Sequence, residues 1–335
     1  MTSKTFNALV VDAGEGNSYV RQIKKRTVDD LPDGDVLIRV HYSSLNYKDA
    51  LSATGNKGVT RNYPHTPGID AAGLVAESKA DAFAKGDQVL VTGYDLGMNT
   101  AGGFGQYVRV PAGWVVPLPD GLSLKESMIY GTAGFTAGMS ILFLTERINP
   151  EDGPVLVTGA TGGVGSVSVA ILAKLGYTVA AVTGKTSGEA FLKGLGAADI
   201  IGRSRAADTS GRPLLKAQWA GVVDTVGGEI LTTAIKSTQP WGTVTCCGNV
   251  ASPDLSLTVF PFILRGIRLI GIDSQNCPMG IRLKVWENLT GPWKIDGFKE
   301  LSKEISLDGL SDNIDLILKG QQKGRVVVDL GASGG

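Results

Sequence analysis

Short apolar runs alternate with turn-forming residues in the first third of the chain. Alternation with a period of two, bounded by glycine, proline and aspartate, is typical of half-buried strands. Turn sequences such as Pro32-Asp33-Gly34 separate these runs. The predicted strands cover residues 8–11, 36–43, 72–78, 88–92 and 105–110. The pattern therefore predicts a β-rich domain in this part of the chain.

The pattern changes near Ser123, where a helix signal begins. Ser123 and Glu126 have the spacing of a capping box, and we expect a helix over 123–144. Apolar strands then alternate with helices, which favours a parallel, doubly wound sheet. The predicted strands cover 155–158, 178–183, 221–224 and 242–246, and the predicted helices cover 164–175, 187–195 and 229–237. The strand-like run 325–330 is interpreted as a return to the first domain.

The chain length agrees with two domains, because a single core stops growing near roughly 250–300 residues. The chain has 335 residues. We predict an α/β protein with one β-rich domain and one doubly wound domain. The first domain is expected at 1–125, completed by 276–335, and the second at 126–275.

Composition narrows the possible partners. Lysine plus arginine equals aspartate plus glutamate at 32 each, so no global basic field attracts nucleic acid or an anionic membrane. Cys246, Cys247 and Cys277 form no CxxC pair and are expected to be reduced thiols. Neither a signal peptide at Met1–Lys4 nor a long apolar span is expected, and an unstructured tail is expected only at 331–335. These features predict a cytoplasmic protein.

The strongest chemical signal is a glycine-rich loop between a predicted strand and a predicted helix. It reads Val157-Thr158-Gly159-Ala160-Thr161-Gly162-Gly163-Val164-Gly165. Glycines let backbone N–H groups approach a pyrophosphate, and the N-terminus of the helix adds partial positive charge. The alternative is an ordinary glycine-rich turn. The strand–loop–helix context favours the dinucleotide site.

The residues after the second strand of the doubly wound domain indicate which dinucleotide binds. Enzymes that use NAD usually place an acid there, on the ribose hydroxyls. This chain has Thr183-Gly184-Lys185 instead, and Arg203 follows a further strand that we expect after the helix 187–195. A lysine and a hydroxyl attract a 2′-phosphate, so we predict NADPH. The alternative is that Lys185 and Arg203 are solvated surface cations.

Several sequence blocks together match one enzyme superfamily. The blocks are Ser43-Ser44-Leu45-Asn46-Tyr47-Lys48-Asp49, Pro67-Gly68-Ile69-Asp70-Ala71-Ala72-Gly73, Gly131-Thr132-Ala133-Gly134-Phe135-Thr136-Ala137, the glycine loop, Asp224-Thr225-Val226-Gly227-Gly228, Pro261-Phe262-Ile263-Leu264-Arg265 and Ile270-Gly271-Ile272-Asp273-Ser274. They resemble the zinc-free quinone oxidoreductase branch of the medium-chain dehydrogenase/reductase superfamily, and especially its bacterial acrylyl-CoA reductases. The resemblance implies a GroES-like β-barrel domain, a Rossmann domain and an active site in the cleft between them.

The resemblance also implies site residues. Tyr47 corresponds to a tyrosine near the nicotinamide in the family. The other implied cofactor contacts are Thr161, Gly162, Gly163 and Val164 at the pyrophosphate, Thr183, Gly184, Lys185 and Arg203 at the 2′-phosphate, and Asn249, Ile263 and Ser274 elsewhere. Asn249 replaces an apolar residue of the relatives, so a backbone contact is expected there.

No metal is expected in this chain. Zinc alcohol dehydrogenases place a cysteine near the position of Asn46 and a Gly-His-Glu segment near Gly68-Ile69-Asp70, and this chain has neither. His41 and His65 stand apart from any cysteine cluster and are interpreted as structural or surface residues.

The reaction expected from the resemblance is hydride transfer from NADPH to the β-carbon of an enoyl thioester such as acrylyl-CoA. Tyr47 is a candidate proton donor, with packing under the nicotinamide ribose as the alternative, and Asn46 is a candidate orienting residue. Lys48 and Asp49 are interpreted as an exposed ion pair. A quinone or small-enone reductase and a non-catalytic NADPH-binding or nucleic-acid-binding protein remain as rival functions. The apolar strand-like segment 266–274 predicts a homodimer formed through a sheet edge.

Overall fold

The computed structural model describes residues 4–331. Expectations for Met1–Lys4 and for the tail 331–335 therefore lie largely outside the described residues. Contacts divide the chain into two compact units, Met1–Thr132 with Leu301–Gly335, and Ala133–Glu300. The predicted boundaries were 125/126 and 275/276, so the second unit begins seven residues later and ends 25 residues later than expected.

The first unit is built mainly from β-strands, as the alternating pattern predicts. Its strands are β1 (Thr5–Ala13), β2 (Tyr19–Thr27), β3 (Val36–Ser44), β4 (Asp70–Ser78), β5 (Gln88–Thr92), β6 (Tyr107–Val110), β7 (Val116–Pro117), β14 (Ser302–Ser306) and β15 (Arg325–Asp329). Its helices include α1 (Tyr47–Ser52) and α9 (Leu310–Leu318). The strand β2 was not predicted, because charged residues interrupt its pattern.

The long strand β3 organises the first unit. It pairs antiparallel with β4 and β6, and its last residues pair with β15 from the end of the chain. The strands run in the order β14-β15-β3-β4-β5-β7, and β1 and β2 form a separate hairpin. The expected return of residues 325–330 to the first unit is therefore correct. This pairing brings Ser44, at the end of β3, beside Val327 near the end of the chain.

The second unit contains a six-stranded parallel sheet in the order β10-β9-β8-β11-β12-β13. This is the order 3-2-1-4-5-6 of doubly wound dinucleotide folds. The strands are β8 (Val155–Val157), β9 (Val179–Thr183), β10 (Asp199–Gly202), β11 (Trp219–Asp224), β12 (Thr238–Cys246) and β13 (Arg268–Gly271). Its helices are α3 (Gly163–Lys174), α4 (Glu189–Gly194), α5 (Gly228–Lys236), α6 (Phe260–Arg265) and α7 (Met279–Thr290), and α8 (Phe298–Leu301) crosses the unit boundary. The predicted α/β class is confirmed.

Helix α7 explains why the second unit extends past residue 275. Trp286 is 1% exposed, and its ring stacks 6.1 Å from the ring of Phe135. Val285 is fully buried, and it packs so tightly on Gly138 that a Cβ there would lie 2.7 Å from it. These contacts hold the segment 276–300 on the second unit, whereas the sequence analysis assigned it to the first.

The longest helix, α2 (Leu124–Leu144), runs from the first unit into the second and changes direction at Gly131. It is long and apolar enough to cross a membrane, contrary to the expectation of no such span. However, 83% of its apolar window is buried within the protein. Burial of this extent identifies it as a core helix.

Candidate cofactor site and active site

The glycine-rich loop joins β8 to α3 in the second unit. Gly162 is the N-cap of α3, so the first N–H groups of a 12-residue helix open toward the loop. Gly159 has φ +57°, and a Cβ there would lie 2.3 Å from Thr225 Oγ1. A Cβ on Gly165 would lie 2.5 Å from the Gly159 carbonyl oxygen. The sequence thus needs glycine at both positions, and the loop fits a dinucleotide pyrophosphate.

The buried carboxylate of Asp224 holds this loop in place. Thr158 Oγ1 donates to Asp224 Oδ1 at 2.7 Å, and the Gly227 N–H donates to Asp224 Oδ2 at 2.8 Å. Burial raises the pKa of Asp224, while these hydrogen bonds oppose the increase. Asp224 belongs to the motif Asp224-Thr225-Val226-Gly227-Gly228, but this role was not predicted from the sequence. Its signal is an acid directly after a buried strand, at the carboxyl edge of the sheet.

The predicted 2′-phosphate residues come together at the end of β9. Thr183 Oγ1 accepts the Lys185 N–H at 3.0 Å and lies 3.4 Å from Thr161 Oγ1. The guanidinium of Arg203 covers Gly184, since a Cβ there would lie 3.2 Å from Arg203 Cζ. Hydroxyl, backbone and guanidinium groups therefore border one exposed glycine. This arrangement suits an anion beside the backbone.

The remaining predicted cofactor contacts lie elsewhere in the second unit. Ser274 Oγ accepts a hydrogen bond from Thr136 Oγ1 at 2.8 Å. A Cβ on Gly227 would lie 3.3 Å from Asn249 Cα, so the backbone of Asn249 adjoins the loop after β11. Ile263 is 68% exposed on α6. The roles of these three residues stay predictions.

Tyr47 is the first residue of α1 in the first unit and is half-buried. The residue before it, Asn46, is the N-cap. The Asn46 N–H donates to Asp49 Oδ2 at 2.7 Å, which closes the first turn of the helix. The conformation of Asn46 therefore determines where α1 begins and, with it, the position of Tyr47.

The side-chain amide of Asn46 is engaged within the protein. Its Nδ2 donates to Asp70 Oδ2 at 2.7 Å and to the Ser44 carbonyl oxygen at 3.3 Å. Its Oδ1 accepts from Arg325 Nη1 at 3.3 Å. With both amide hydrogens used internally, Asn46 fixes local geometry.

Asp70 lies at the centre of what we call the buried charge cluster, formed by Ser44, Asn46, Asp49, Asp70, Thr132 and Arg325. Asp70 Oδ2 accepts from Ser44 Oγ at 2.5 Å, and Asp70 Oδ1 accepts from Thr132 Oγ1 at 2.6 Å. Arg325 Nη2 donates to Ser44 Oγ at 2.8 Å and lies 3.9 Å from Asp70 Oδ2. Asp70 is fully buried and Arg325 is 2% exposed, so each charge is compensated by the other.

Asp49 corrects one expectation. It is fully buried and belongs to no exposed ion pair with Lys48. Its Oδ1 accepts the Ile69 N–H at 2.8 Å, while Oδ2 accepts the Asn46 N–H. Burial and the negative charge of Asp70 raise the pKa of Asp49 from 3.8 to about 7, against these hydrogen bonds. The sequence-based interpretation failed because a charged residue in a short helix resembles a solvated one.

Gly131 permits the cluster to close. Its backbone has φ +50° and ψ −156°, a conformation that favours glycine. A Cβ there would lie 2.4 Å from Ser44 Oγ and 2.5 Å from Asp70 Oδ2. The change of direction in α2 also presents the Thr132 N–H to Asp70 at 2.9 Å.

Comparison with known proteins identifies the family. Residues 32–120 match the alcohol dehydrogenase GroES-like domain, and residues 163–289 match the zinc-binding dehydrogenase family. The acrylyl-CoA reductase AcuI of Ruegeria pomeroyi is 44% identical over 98% of this chain and 100% of its own length. The chain belongs to the medium-chain dehydrogenase/reductase superfamily. The predicted family, with its GroES-like and Rossmann domains, is therefore confirmed.

Two solved structures of superfamily members resemble this chain along nearly its whole length. The Salmonella enterica yhdH oxidoreductase in complex with NADP has a TM-score of 0.94 and 42% identity, covering 96% of this chain and 99% of that one. Bacillus subtilis yhfP with NAD bound has a TM-score of 0.95 and 43% identity, covering 98% and 100%. The Bacillus subtilis protein YhfP, named as a quinone oxidoreductase, is 44% identical over 98% of this chain and 100% of its own length.

Zinc-dependent members of the superfamily raise the question of a metal. Within residues 4–331, no group of three histidine, cysteine, aspartate or glutamate side chains could hold one. At the positions where those enzymes place zinc ligands, Asn46 and Asp70 bind the guanidinium of Arg325 and each other. These donors do not fit a zinc ion, which prefers thiolate and imidazole ligands.

Proposed function

We propose that this chain catalyses the NADPH-dependent reduction of an activated C=C bond, most specifically that of acrylyl-CoA to propionyl-CoA. The observation that carries the proposal is the chain-long similarity to AcuI. The residues around Gly184 support the choice of cofactor, because the Arg203 guanidinium covers Gly184 and Lys185 follows it directly in the chain. Two cations of this kind suit a 2′-phosphate. The yhfP structure contains NAD, so the preference of this chain for NADPH over NADH has to be measured.

In the proposed mechanism, bound NADPH supplies a hydride to the β-carbon of the enoyl thioester. The C=C π electrons then move toward the thioester oxygen, giving an enolate that takes a proton at the α-carbon. Tyr47, at the N-terminus of α1, donates a hydrogen bond to that oxygen or delivers the proton directly or through water. Asn46 holds the start of α1, and the loop 158–162 with the N-terminus of α3 binds the pyrophosphate.

The main rival is a quinone or small-enone reductase with the same cofactor, a function suggested by the name of the Bacillus relative. Hydride transfer to a quinone gives a hydroquinone anion, which is a weaker base than a thioester enolate, so loss of the Tyr47 hydroxyl would lower the rate less. A non-catalytic NADPH-binding or nucleic-acid-binding protein is the rival from another class. The balance of 32 basic against 32 acidic residues argues against nucleic acid.

Stopped-flow fluorescence of enzyme-bound NADPH distinguishes these functions. The purified chain is loaded with NADPH and mixed with acrylyl-CoA, with a quinone, or with buffer alone. We expect rapid NADPH oxidation with acrylyl-CoA and a much slower reaction with the quinone. Faster oxidation by the quinone would support the rival reductase. No oxidation by either substrate, with NADPH still bound, would reject the proposed enzyme activity.

We also propose a homodimer formed through the outer edge of the six-stranded sheet. Among residues 4–331, β13 pairs with β12 alone, and edge strands are prone to pairing with a second copy. Nearby α6 carries exposed apolar side chains, with Ile263 at 68% and Leu264 at 63% exposure. Light scattering should give about twice the chain mass of 34.9 kDa. Leu264→Asp should lower that mass, and a monomer at micromolar concentration would contradict the proposal.

We infer a cytoplasmic location for this protein. The three cysteines are free thiols, which suits a reducing compartment. Fractionation of cells that express the untagged chain should recover it with soluble cytoplasmic markers, and recovery in a membrane fraction would contradict this inference.

A further inference from the structure

The buried charge cluster joins chain segments that are far apart in sequence. Ser44 ends β3, Asp70 begins β4, Thr132 follows the kink of α2, and Arg325 begins β15. Their side chains meet around the Asp70 carboxylate. Asp70 and Arg325 in turn bind the side-chain amide of Asn46, the residue directly before Tyr47. Ser44, Asp70 and Arg325 are fully or almost fully buried, and burying charged groups is costly. No step of the proposed mechanism uses these residues directly.

We propose that Ser44, Asp70 and Arg325 are positioning residues that act on the reaction through Tyr47. This inference rests on the role proposed for Tyr47 in C=C reduction. Asp70 and Arg325 hold the two ends of the Asn46 amide, since Asp70 accepts from Nδ2 and Arg325 donates to Oδ1. The amide can therefore adopt one orientation only, and α1 begins at one fixed place.

The Ser44 hydroxyl connects the carboxylate of Asp70 with the guanidinium of Arg325. Its hydroxyl donates to Asp70 Oδ2 at 2.5 Å and accepts from Arg325 Nη2 at 2.8 Å, whereas the direct ion-pair distance is 3.9 Å. Charged groups in a low-dielectric interior hold their partners more firmly than neutral ones do. Removing this hydroxyl weakens the hold of Asp70 and Arg325 on the Asn46 amide, while both charged groups remain.

Placement of Tyr47 matters because proton donation requires hydrogen-bond geometry. A misplacement of about 1 Å can cost ~10²-fold in rate. The cluster belongs to the first unit, while the glycine-rich loop and the residues around Gly184 belong to the second. A change in the cluster should therefore lower kcat and leave the Kd for NADPH nearly unchanged.

The neighbouring hydroxyl of Ser43 provides a matched control. Ser43 and Ser44 are consecutive, both are fully buried, and both donate to Asp70. Ser43 donates at 2.7 Å to the backbone carbonyl oxygen of Asp70, not to its carboxylate. Ser43→Ala thus deletes a buried hydroxyl of equal size and leaves the donors to the carboxylate in place.

The test is a double-mutant cycle between Ser44→Ala and Tyr47→Phe, with kcat for acrylyl-CoA as the readout. Ser44→Ala should lower kcat roughly tenfold in the wild-type background, as expected for a partial misplacement. In the Tyr47→Phe background it should change kcat by less than about twofold, the usual limit of additivity errors. Ser43→Ala should leave kcat near the wild-type value. If Ser44→Ala does not fold, Thr132→Val removes the Thr132 donation to Asp70 Oδ1 and replaces it in the cycle.

Each other result identifies the statement that fails. Equal losses from Ser44→Ala in both backgrounds would overturn the positioning role and leave Tyr47 in the mechanism. Equal losses from Ser43→Ala and Ser44→Ala would also overturn it, because general loosening of the fold would explain both. Wild-type kcat in Tyr47→Phe would remove Tyr47 from the chemistry and the inference with it. A wild-type chain that does not turn over acrylyl-CoA would reject the proposed function and the inference that rests on it.

Discussion

Replacement of Lys185 by aspartate should remove most of the preference for NADPH over NADH. Lys185 follows Gly184, the residue covered by the Arg203 guanidinium, and it is half-buried. Aspartate deletes one cation and places a negative charge beside the 2′-phosphate. It also supplies the acid that enzymes using NAD place on the ribose hydroxyls.

The size of the effect follows from one charge-assisted hydrogen bond. Such a bond contributes ~1.5–3 kcal/mol net, and each ~1.4 kcal/mol is tenfold. Lys185 alone should therefore give a roughly tenfold to hundredfold preference for NADPH. Arg203 is exposed, so solvent screening limits its addition to about 1 kcal/mol or less. Lys185→Asp should lower the preference by at least the contribution of the lysine.

The assay is kcat/KM for NADPH and for NADH in wild type and Lys185→Asp. Lys216→Asp is the matched control, because this exposed lysine lies just before β11. It is therefore near the amino ends of the parallel strands, whereas Lys185 is near their carboxyl ends. Lys216→Asp should leave the ratio unchanged. Equal use of both cofactors by wild type, or the same ratio in Lys185→Asp and wild type, would refute the assignment.

Three further predictions concern the first unit and the metal. Tyr47→Phe should lower kcat ~10²–10⁴-fold with little change in the Kd for NADPH, and a loss confined to cofactor binding would favour a packing role. Tyr94→Phe is the control, because the Tyr94 ring stacks on the Trp114 ring in the same unit, and it should leave kcat near the wild-type value. Elemental analysis of active protein should find no stoichiometric zinc, and activity should survive chelation; the opposite pair of results would contradict the zinc-free mechanism. Because the pKa of Asp49 is raised from 3.8 to about 7, the folded state binds this proton more tightly, and stability should fall as pH rises from about 4 to about 7. In urea unfolding, the decline in the free energy of unfolding is at most ~1.4 kcal/mol per pH unit, and Asp49→Asn should flatten it. Equal slopes in wild type and Asp49→Asn would contradict the raised pKa of Asp49.

The sequence predicted the central strands β8, β9 and β11 of the doubly wound sheet well, because their residues are almost all apolar and buried. β9 (Val179–Thr183), for example, is buried at every position, and a glycine-rich loop follows β8. Such patterns depend on local residues, so they can be read without knowledge of the fold. The strands β10 and β12 contain exposed positions and give a weaker pattern. The position of Thr183 and Lys185 was also predictable, because Thr183 ends β9 and Lys185 follows two residues later. Their role at a 2′-phosphate stays a prediction.

Two features of the second and first units were not predictable in this way. Helix α7 was missed because Arg282, fully buried with its guanidinium 4.7 Å from the Phe135 ring centroid, breaks the apolar pattern of the helix. In the first unit, the kink at Gly131 fell inside a predicted continuous helix. The reason for that glycine is a close approach to Ser44 and Asp70, which only the folded chain brings near.

The buried charge cluster shows the same limit more strongly. Arg325 and Asp70 are 255 positions apart, and no local pattern pairs them. Asn46 and Tyr47 were identified as site residues through the family resemblance. That Asn46 is held by a distant guanidinium is visible only in three dimensions.

In the proposed reaction, hydride passes from NADPH to the β-carbon of an enoyl thioester. The decisive measurement is turnover of acrylyl-CoA with NADPH deuterated at the transferable C4 position, followed by mass and NMR analysis of the product. We expect propionyl-CoA with one deuterium at the β-carbon and a solvent proton at the α-carbon. In D₂O with unlabelled NADPH, the single deuterium should appear at the α-carbon. Product with cofactor deuterium at the α-carbon, or no deuterium from the cofactor, would contradict the mechanism.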